Sequence, residues 1–420
     1  MFIKTFFFTI AFHSLLSLSV FAQTQVIQAK QYLDVHSGKM VSPATLVIES
    51  GKIQSINPAT LPANAEIIDW RELTLVPGYI DAHVHLSDEL TSDLQLRTVT
   101  ESPTDRALRG ALYARKTLMA GFTTVRDLGS DGYVNIALAN ASDNGWIDAP
   151  HIVPAGYALS ITGGHGDAGG FAPGLLDSDY RHGIADGPEE VKKSVRYQIK
   201  QGAKVIKVFA TAGVLSFEES VGAQHYTAEE LTAAVEEAAR HDMNVAAHAH
   251  GTEGIIAAVK AGVASIEHGS ILNDEAIQLM VEHGTYLVPT THIAEALDLE
   301  MLPPLLKEKG ARVIPQMVKS LERAISAGVK IAFGTDAGVI PHGTNAKEFA
   351  TLVKRGMSPL EAIRTATLNA ADLLGVNDRG AITTGFLADL VALRDDPLKD
   401  VTNLETPVHV MKAGKVYTSN

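Results

Sequence analysis

The chain has 420 residues and not one cysteine. That absence excludes disulfides, thiolate metal sites and a cysteine nucleophile. Long basic runs are also missing, and the net charge is −13. Nucleic acid is therefore excluded as a natural partner, because a polyanion needs a basic face. No Gly-x-Gly-x-x-Gly follows a strand-like run, which argues against a dinucleotide site. Beyond residue 22 no segment is apolar enough to cross a bilayer. Histidine, by contrast, is plentiful at 16 residues. Any metal must then be held by imidazole and oxygen, or by a less usual nitrogen ligand.

The first residues read as an export leader. Lys4 supplies the positive start, an apolar run extends from Phe6 to Val20, and Val20-Phe21-Ala22 places small residues at the cleavage offsets. A cut after Ala22 makes the mature chain periplasmic or secreted, with no membrane attachment. An uncleaved anchor is the alternative, and the run is short for a span.

An apolar fraction of 46% is ample for a large core. Residues 23–75 and 376–420 share a texture of short alternating strands, such as Thr45–Glu49 and Lys52–Ile56 around a Gly51 turn, or Ala388–Leu393 and Pro407–Met411. Neither end buries a core alone, so the two are expected to pair into one β-domain. Residues 76–375 alternate short apolar runs with Ala- and Glu-rich helical stretches. One helix opens at Thr227 with Glu230 three residues on, a capping box, and is expected to run to His241. Repeated β-α units of this length predict a (β/α)₈ barrel, with an open doubly wound sheet as the runner-up.

In such a barrel the chemistry sits where strands end. His83 and His85 close the first strand two residues apart, hence on one face. Lys207 lies inside Val205–Phe209, His248 and His268 close the fifth and sixth strands, and Asp336 closes the last. Taken singly, each has an ordinary reading. A pair of histidines can be incidental, a lysine can snorkel or pair, a histidine can be a bonded core residue, and an aspartate before Ala337-Gly338 can be a turn or helix cap. Six in barrel order are not explained that way. Lys204 is at odd spacing from Lys207 and so faces the other way. Arg126 and Asp127 read as a structural ion pair at a strand end.

Together these residues resemble the amidohydrolase superfamily over essentially the whole mature chain. The motifs are Pro77-Gly78-Tyr79-Ile80-Asp81-Ala82-His83-Val84-His85, Gly121–Asp127, Lys204–Val208, His248-Ala249-His250-Gly251, Ile266-Glu267-His268-Gly269 and Gly334-Thr335-Asp336. Ser160–Asp167 points to the imidazolonepropionase-like branch that contains prolidases and related dipeptidases. The resemblance implies a distorted (β/α)₈ barrel with a small β-sandwich built from both termini. It implies two divalent metal ions, zinc foremost with manganese or cobalt as alternatives. His83, His85 and Asp336 are expected to hold one ion, and His248 and His268 the other. Lys207, carboxylated by carbon dioxide, is expected to bridge the two. Asp336 is expected to take the proton of the attacking water and pass it to the leaving amine.

His165, in a glycine-flanked loop, is the foremost candidate for a substrate contact. His250, Tyr226, His292 and His342 are further ones. The position of His250 often carries tyrosine in relatives. The expected substrate is a small dipeptide of Xaa-Pro or Xaa-Arg/Lys type, or an N-acyl amino acid such as ochratoxin. Cyclic-amide hydrolysis or deamination is the alternative within the class, and a non-catalytic binding barrel the alternative outside it. Relatives often assemble into rings or dimers of tetramers, which leaves a homo-oligomer open.

Overall fold

Backbone pairing joins the two ends of the chain. The computed structural model describes residues 24–418 apart from 173, 217 and 219. The expected export leader lies outside the described residues. Strand Gln25–Asp34 runs antiparallel to Ala44–Glu49 and parallel to Glu66–Pro77. Glu66–Pro77 takes Leu390–Leu393 on its other side, and His409–Lys412 and Lys415–Thr418 follow. These strands belong to one eight-stranded sheet. Ser50 and Gly51 both have positive φ, as a tight hairpin requires, and return the chain into Lys52–Ile56. That edge strand meets the C-terminal segment: Ile53 N–H donates to the Phe386 carbonyl at 2.9 Å, and Ala388 N–H to the Gly51 carbonyl at 2.8 Å. The sheet thus curls around its own core of Ile27, Leu46, Ile48, Ile53, Leu75 and Leu390. The expected division after residue 75 falls inside Glu66–Pro77, which carries the chain from sheet into barrel.

The barrel strands are short, parallel and buried, as expected when helices cover the outside. Tyr79–Val84, Phe122–Asp127 and His151–Pro154 form one ladder. Ile206–Phe209, Val245–Ala249, Ser265–His268 and Tyr286–Val288 form another. Two connections link the ladders. Lys204 N–H donates to the Pro154 carbonyl and Leu159 bridges Val208 on one side. On the other, Ile331 bridges Leu287 and Ala82 N–H donates to the Phe333 carbonyl. Three strands, four strands and the segment at 331–333 make up a (β/α)₈ barrel.

Two sequence expectations need adjusting. Ile331–Asp336 is not a regular strand. Phe333 N–H donates to the Thr365 carbonyl, at the start of a widened π-helical turn Thr365–Asn369, instead of to a neighbouring strand. The helix opened by the Thr227–Glu230 capping box ends at Ala239, before His241, and Asp242 then turns the chain at φ 56°. No described helix is long and apolar enough to cross a membrane.

Candidate active site

Strand ends deliver the polar residues to one cavity of about 190 Å³. His83, His85, His165, Lys207, His248, His250, His268 and Asp336 all line it. Its remaining wall is largely apolar, with Val214, Leu215, Ile293, Val313, Ile314 and Met317 among the side chains. Three non-glycine residues of the lining, His268, Thr290 and Asp336, have φ of 71°, 47° and 57°. Left-handed backbone costs energy in such residues and persists where the surroundings impose it, commonly at functional sites.

Most of the imidazoles are oriented from behind. His83 Nδ1 lies 2.8 Å from Glu267 Oε2. His85 Nδ1 lies 2.9 Å from the Gly129 carbonyl, His268 Nδ1 2.8 Å from Thr290 Oγ1, and His250 Nδ1 2.7 Å from Ser270 Oγ. A carboxylate and a carbonyl only accept, so the Nδ1 atoms of His83 and His85 carry the hydrogen. Each ring, when neutral, then presents an Nε2 lone pair to the cavity. Burial holds His83, His248 and His268 well below the ordinary imidazole pKa and takes His250 down to about 3. Neutral rings are the form that binds metal.

The Nε2 lone pairs of His83 and His85 face another acceptor. Both atoms stand 3.4 Å from the same oxygen of Asp336, Oδ1. With both rings neutral and Asp336 ionised, three electron-rich atoms converge there without a hydrogen between them. A cation resolves the conflict, since two ligands each about 2.1 Å from a tetrahedral zinc stand about 3.4 Å apart. Ligand atoms of His83, His268 and Asp336 lie within 4.8 Å of one another, and so do those of His248, His250 and His268. His248 Nε2 is buried without a hydrogen-bond partner. The donor set fits metal ions.

Lys207 is 1% exposed, and among the described residues it has no hydrogen-bond or ion-pair partner. Burial brings its amine down to about 8, against the opposing pull of Glu267 and Asp336. Lys204, in contrast, is exposed, as its spacing predicts. Burial raises the Asp336 carboxyl, while His85 and Lys207 oppose the rise.

Among the substrate candidates, the structure separates two groups. His165 and His250 line the cavity, and the His165 ring stacks on His248 at 4.5 Å. Gly213 makes room for it, because a Cβ there would lie 2.2 Å from the His165 ring. Tyr226, His292 and His342 do not line the cavity. Tyr226 points into the apolar core. His292 turns to Thr351 Oγ1, at 3.1 Å, and His342 stacks on Tyr113 with Nε2 2.9 Å from the Asp88 carbonyl. The sequence placed these three on loops at the mouth. His292 and His342 are instead drawn back onto flanking helices, through Thr351 and Tyr113.

Arg126 and Asp127 do not pair either, since neighbours on a strand face opposite ways. Asp127 accepts from Leu86 N–H and Asn135. Arg126 donates to Glu267 Oε1 at 2.9 Å and to the Ala82 carbonyl at 2.6 Å. Glu267 thus joins Arg126 to His83, a role the sequence reading missed. Its signal was an acid inside the buried run Ser265–His268. Glu267→Ala strands the Arg126 charge and frees the His83 ring. Denaturant unfolding is expected to show a loss of about 3–5 kcal/mol, with Glu267→Gln losing less. Equal stability in both variants would remove Glu267 from this role.

Comparison with known proteins agrees with this arrangement. The amidohydrolase family model matches residues 74–417. An ochratoxinase of Aspergillus niger is 38% identical over 367 residues, covering 82% of this chain and 75% of that protein. A crystal structure of a Xaa-Pro dipeptidase with methionine bound in its active site superposes with a TM-score of 0.90. It is 39% identical and covers 94% of this chain and 100% of its own. A prolidase complexed with N-methylphosphonate-L-proline gives a TM-score of 0.86 at 32% identity, over 95% of this chain and 100% of that one. The family model covers well over half of the chain, and on that ground the chain belongs to the amidohydrolase family, as a hydrolase acting on amide bonds.

Proposed function

We propose that the protein is a binuclear metal-dependent hydrolase that frees the C-terminal amino acid of Xaa-Pro-type dipeptides or N-acyl amino acids. The observation that carries the reading is the convergence of His83 Nε2, His85 Nε2 and Asp336 Oδ1 with no hydrogen to share. His83, His85 and Asp336 would hold one ion, and His248 and His268 the other. Lys207 would stand between them, carboxylated on Nζ. That modification joins the neutral amine to carbon dioxide and releases one proton, so it turns a costly buried cation into an anionic ligand. Zinc suits imidazole nitrogen and carboxylate oxygen best. Metal ions bound in this way supply an acidified water and a polarised carbonyl.

The chain's own residues do the rest. Asp336, raised by burial, accepts the water's proton and returns it to the leaving amine. The apolar wall takes up the side chain of the residue released or of the acyl group. A cavity of about 190 Å³ is below the usual range of about 300–1,000 Å³ for drug-sized ligands, which favours one or two residues over a longer peptide. Asp336 is the only carboxylate of the described lining. A guanidinium or ammonium side chain buried there has no partner, so Xaa-Arg and Xaa-Lys fall behind Xaa-Pro and other apolar residues. The relatives described as ochratoxinase and Xaa-Pro dipeptidase support an amide substrate of this size. The export leader adds the periplasm or the exterior as the place of action.

The test is a panel of Xaa-Pro, Xaa-Leu, Xaa-Arg and N-acyl amino acid substrates. They are incubated with protein loaded with zinc, manganese or cobalt, and free amino acid is read by mass spectrometry. Xaa-Pro, Xaa-Leu or N-acyl substrates are expected to turn over at least about tenfold better than Xaa-Arg, one buried charge being worth more than 1.4 kcal/mol. Chelation is expected to abolish the activity. No release from any member defeats the proposal, and release of ammonia instead points to deamination.

A further inference from the structure

The turn that follows strand Tyr286–Val288 is held by a side chain from another element. Glu348 lies in the first turn of helix Lys347–Lys354 and is fully buried. Its Oε1 accepts Thr291 N–H at 2.9 Å, and its Oε2 accepts His292 N–H at 2.6 Å. From the same helix, Thr351 Oγ1 meets the His292 ring. These contacts fix the two peptides that follow Thr290. Thr290 itself has φ 47°, an unfavourable backbone for a β-branched residue. That backbone aims Thr290 Oγ1 at His268 Nδ1, 2.8 Å away. His268 belongs to both histidine clusters in the cavity.

We infer that Glu348 is a positioning residue for the His248–His268 half of the site, acting through Thr291, His292 and the left-handed Thr290. Burial pushes the Glu348 carboxyl up to about 8, and the two amide donors oppose that rise; in its ionised form it accepts two adjacent amides at once. Glutamine offers one acceptor and one donor and so opposes one of the amides. The inference rests on the binuclear reading above, but the residues of the His83–His85 half are oriented independently, by Glu267 and the Gly129 carbonyl. On that reading His268 serves the second ion alone, although its ligand atom lies near those of both clusters, so loss of Glu348 should be felt on that side only.

The experiment is chelator competition with cobalt(II) on metal-free full-length protein. Wild type, Glu348→Gln, Thr290→Val and the double variant are compared, and the cobalt absorption bands are recorded alongside. Wild type is expected to bind two ions. Glu348→Gln is expected to weaken one of them by about 10–100-fold, the usual effect of losing an outer partner of a ligand. The other ion should stay within about twofold. Thr290→Val should weaken the same ion, with the same change in absorption, and the double variant should lose no more than the larger single loss. If Glu348→Gln does not fold, Glu348→Asp is read in its place, since it keeps the acceptors and shortens the reach. Unchanged affinities, equal weakening of both ions, or losses that add in the double variant each overturn the inference. A wild type that binds fewer than two ions overturns the binuclear reading, and the inference with it.

Discussion

Asp336→Asn is expected to lower turnover by about 10²–10⁴-fold while the protein still folds and still takes up metal. Asparagine keeps the shape and one ligand oxygen. It loses the basicity on which proton transfer depends. The position supports a double role, because Oδ1 is 3.4 Å from both His83 Nε2 and His85 Nε2, while burial raises the carboxyl toward a range useful for accepting a proton. Measured together, kcat and metal content separate the roles. Normal turnover with full metal would remove Asp336 from proton transfer. Lost metal with lost turnover would make it a ligand only.

The second large effect concerns Lys207. Lys207→Met is expected to abolish turnover, because the proposed anionic ligand between the two halves of the site is then lost. Protein prepared without carbon dioxide should be less active and should recover on adding bicarbonate. A bicarbonate-independent wild type would count against the modification. The same residue makes a stability prediction of unusual sign. Its amine is brought from 10.5 to about 8 by burial. Below pH 8 folded and unfolded chains both carry the proton, and the metal-free, unmodified fold bears the full penalty, on the order of 3 kcal/mol. Between about 8 and 10.5 the unfolded chain binds more protons, so stability rises with pH. Metal-free Lys207→Met should therefore melt above metal-free wild type at pH 7, and the gap should narrow as pH rises through that window. A constant gap would mean that the buried ammonium is not its source.

The sequence made the first half of the site legible because strand periodicity is simple. His83 and His85 two residues apart, and Lys207 against Lys204, sort correctly by parity alone. Parity fails where the backbone leaves the strand. His268 has φ 71°, so it and its neighbour Glu267 both serve the barrel interior. An alternation rule assigns the two to opposite faces. Of the partners behind the imidazoles, Glu267 shows only as an acid inside a buried run, and Thr290, Ser270 and the Gly129 carbonyl have no local signal, since each meets its histidine through tertiary structure. Loop direction is equally hidden. His292 and His342 follow barrel segments as mouth residues should, yet Thr351 and Tyr113 draw their rings aside. The terminal domain was readable as strands that need each other. Its curling into a single sheet through Ile53 and Phe386 was not, because that contact joins distant parts of the chain.

That joining has a consequence for how the molecule comes into being. Glu66–Pro77 is made early, but its neighbour Leu390–Leu393 is made only after the entire catalytic body. Until then the early strand offers bare amides and carbonyls along one side, the kind of border that recruits stray strands. Pairings between remote stretches form slowly because the intervening chain must first be brought together. The tail therefore works as a latch that drops last, and a nascent polypeptide stays vulnerable along that seam until its final strands arrive.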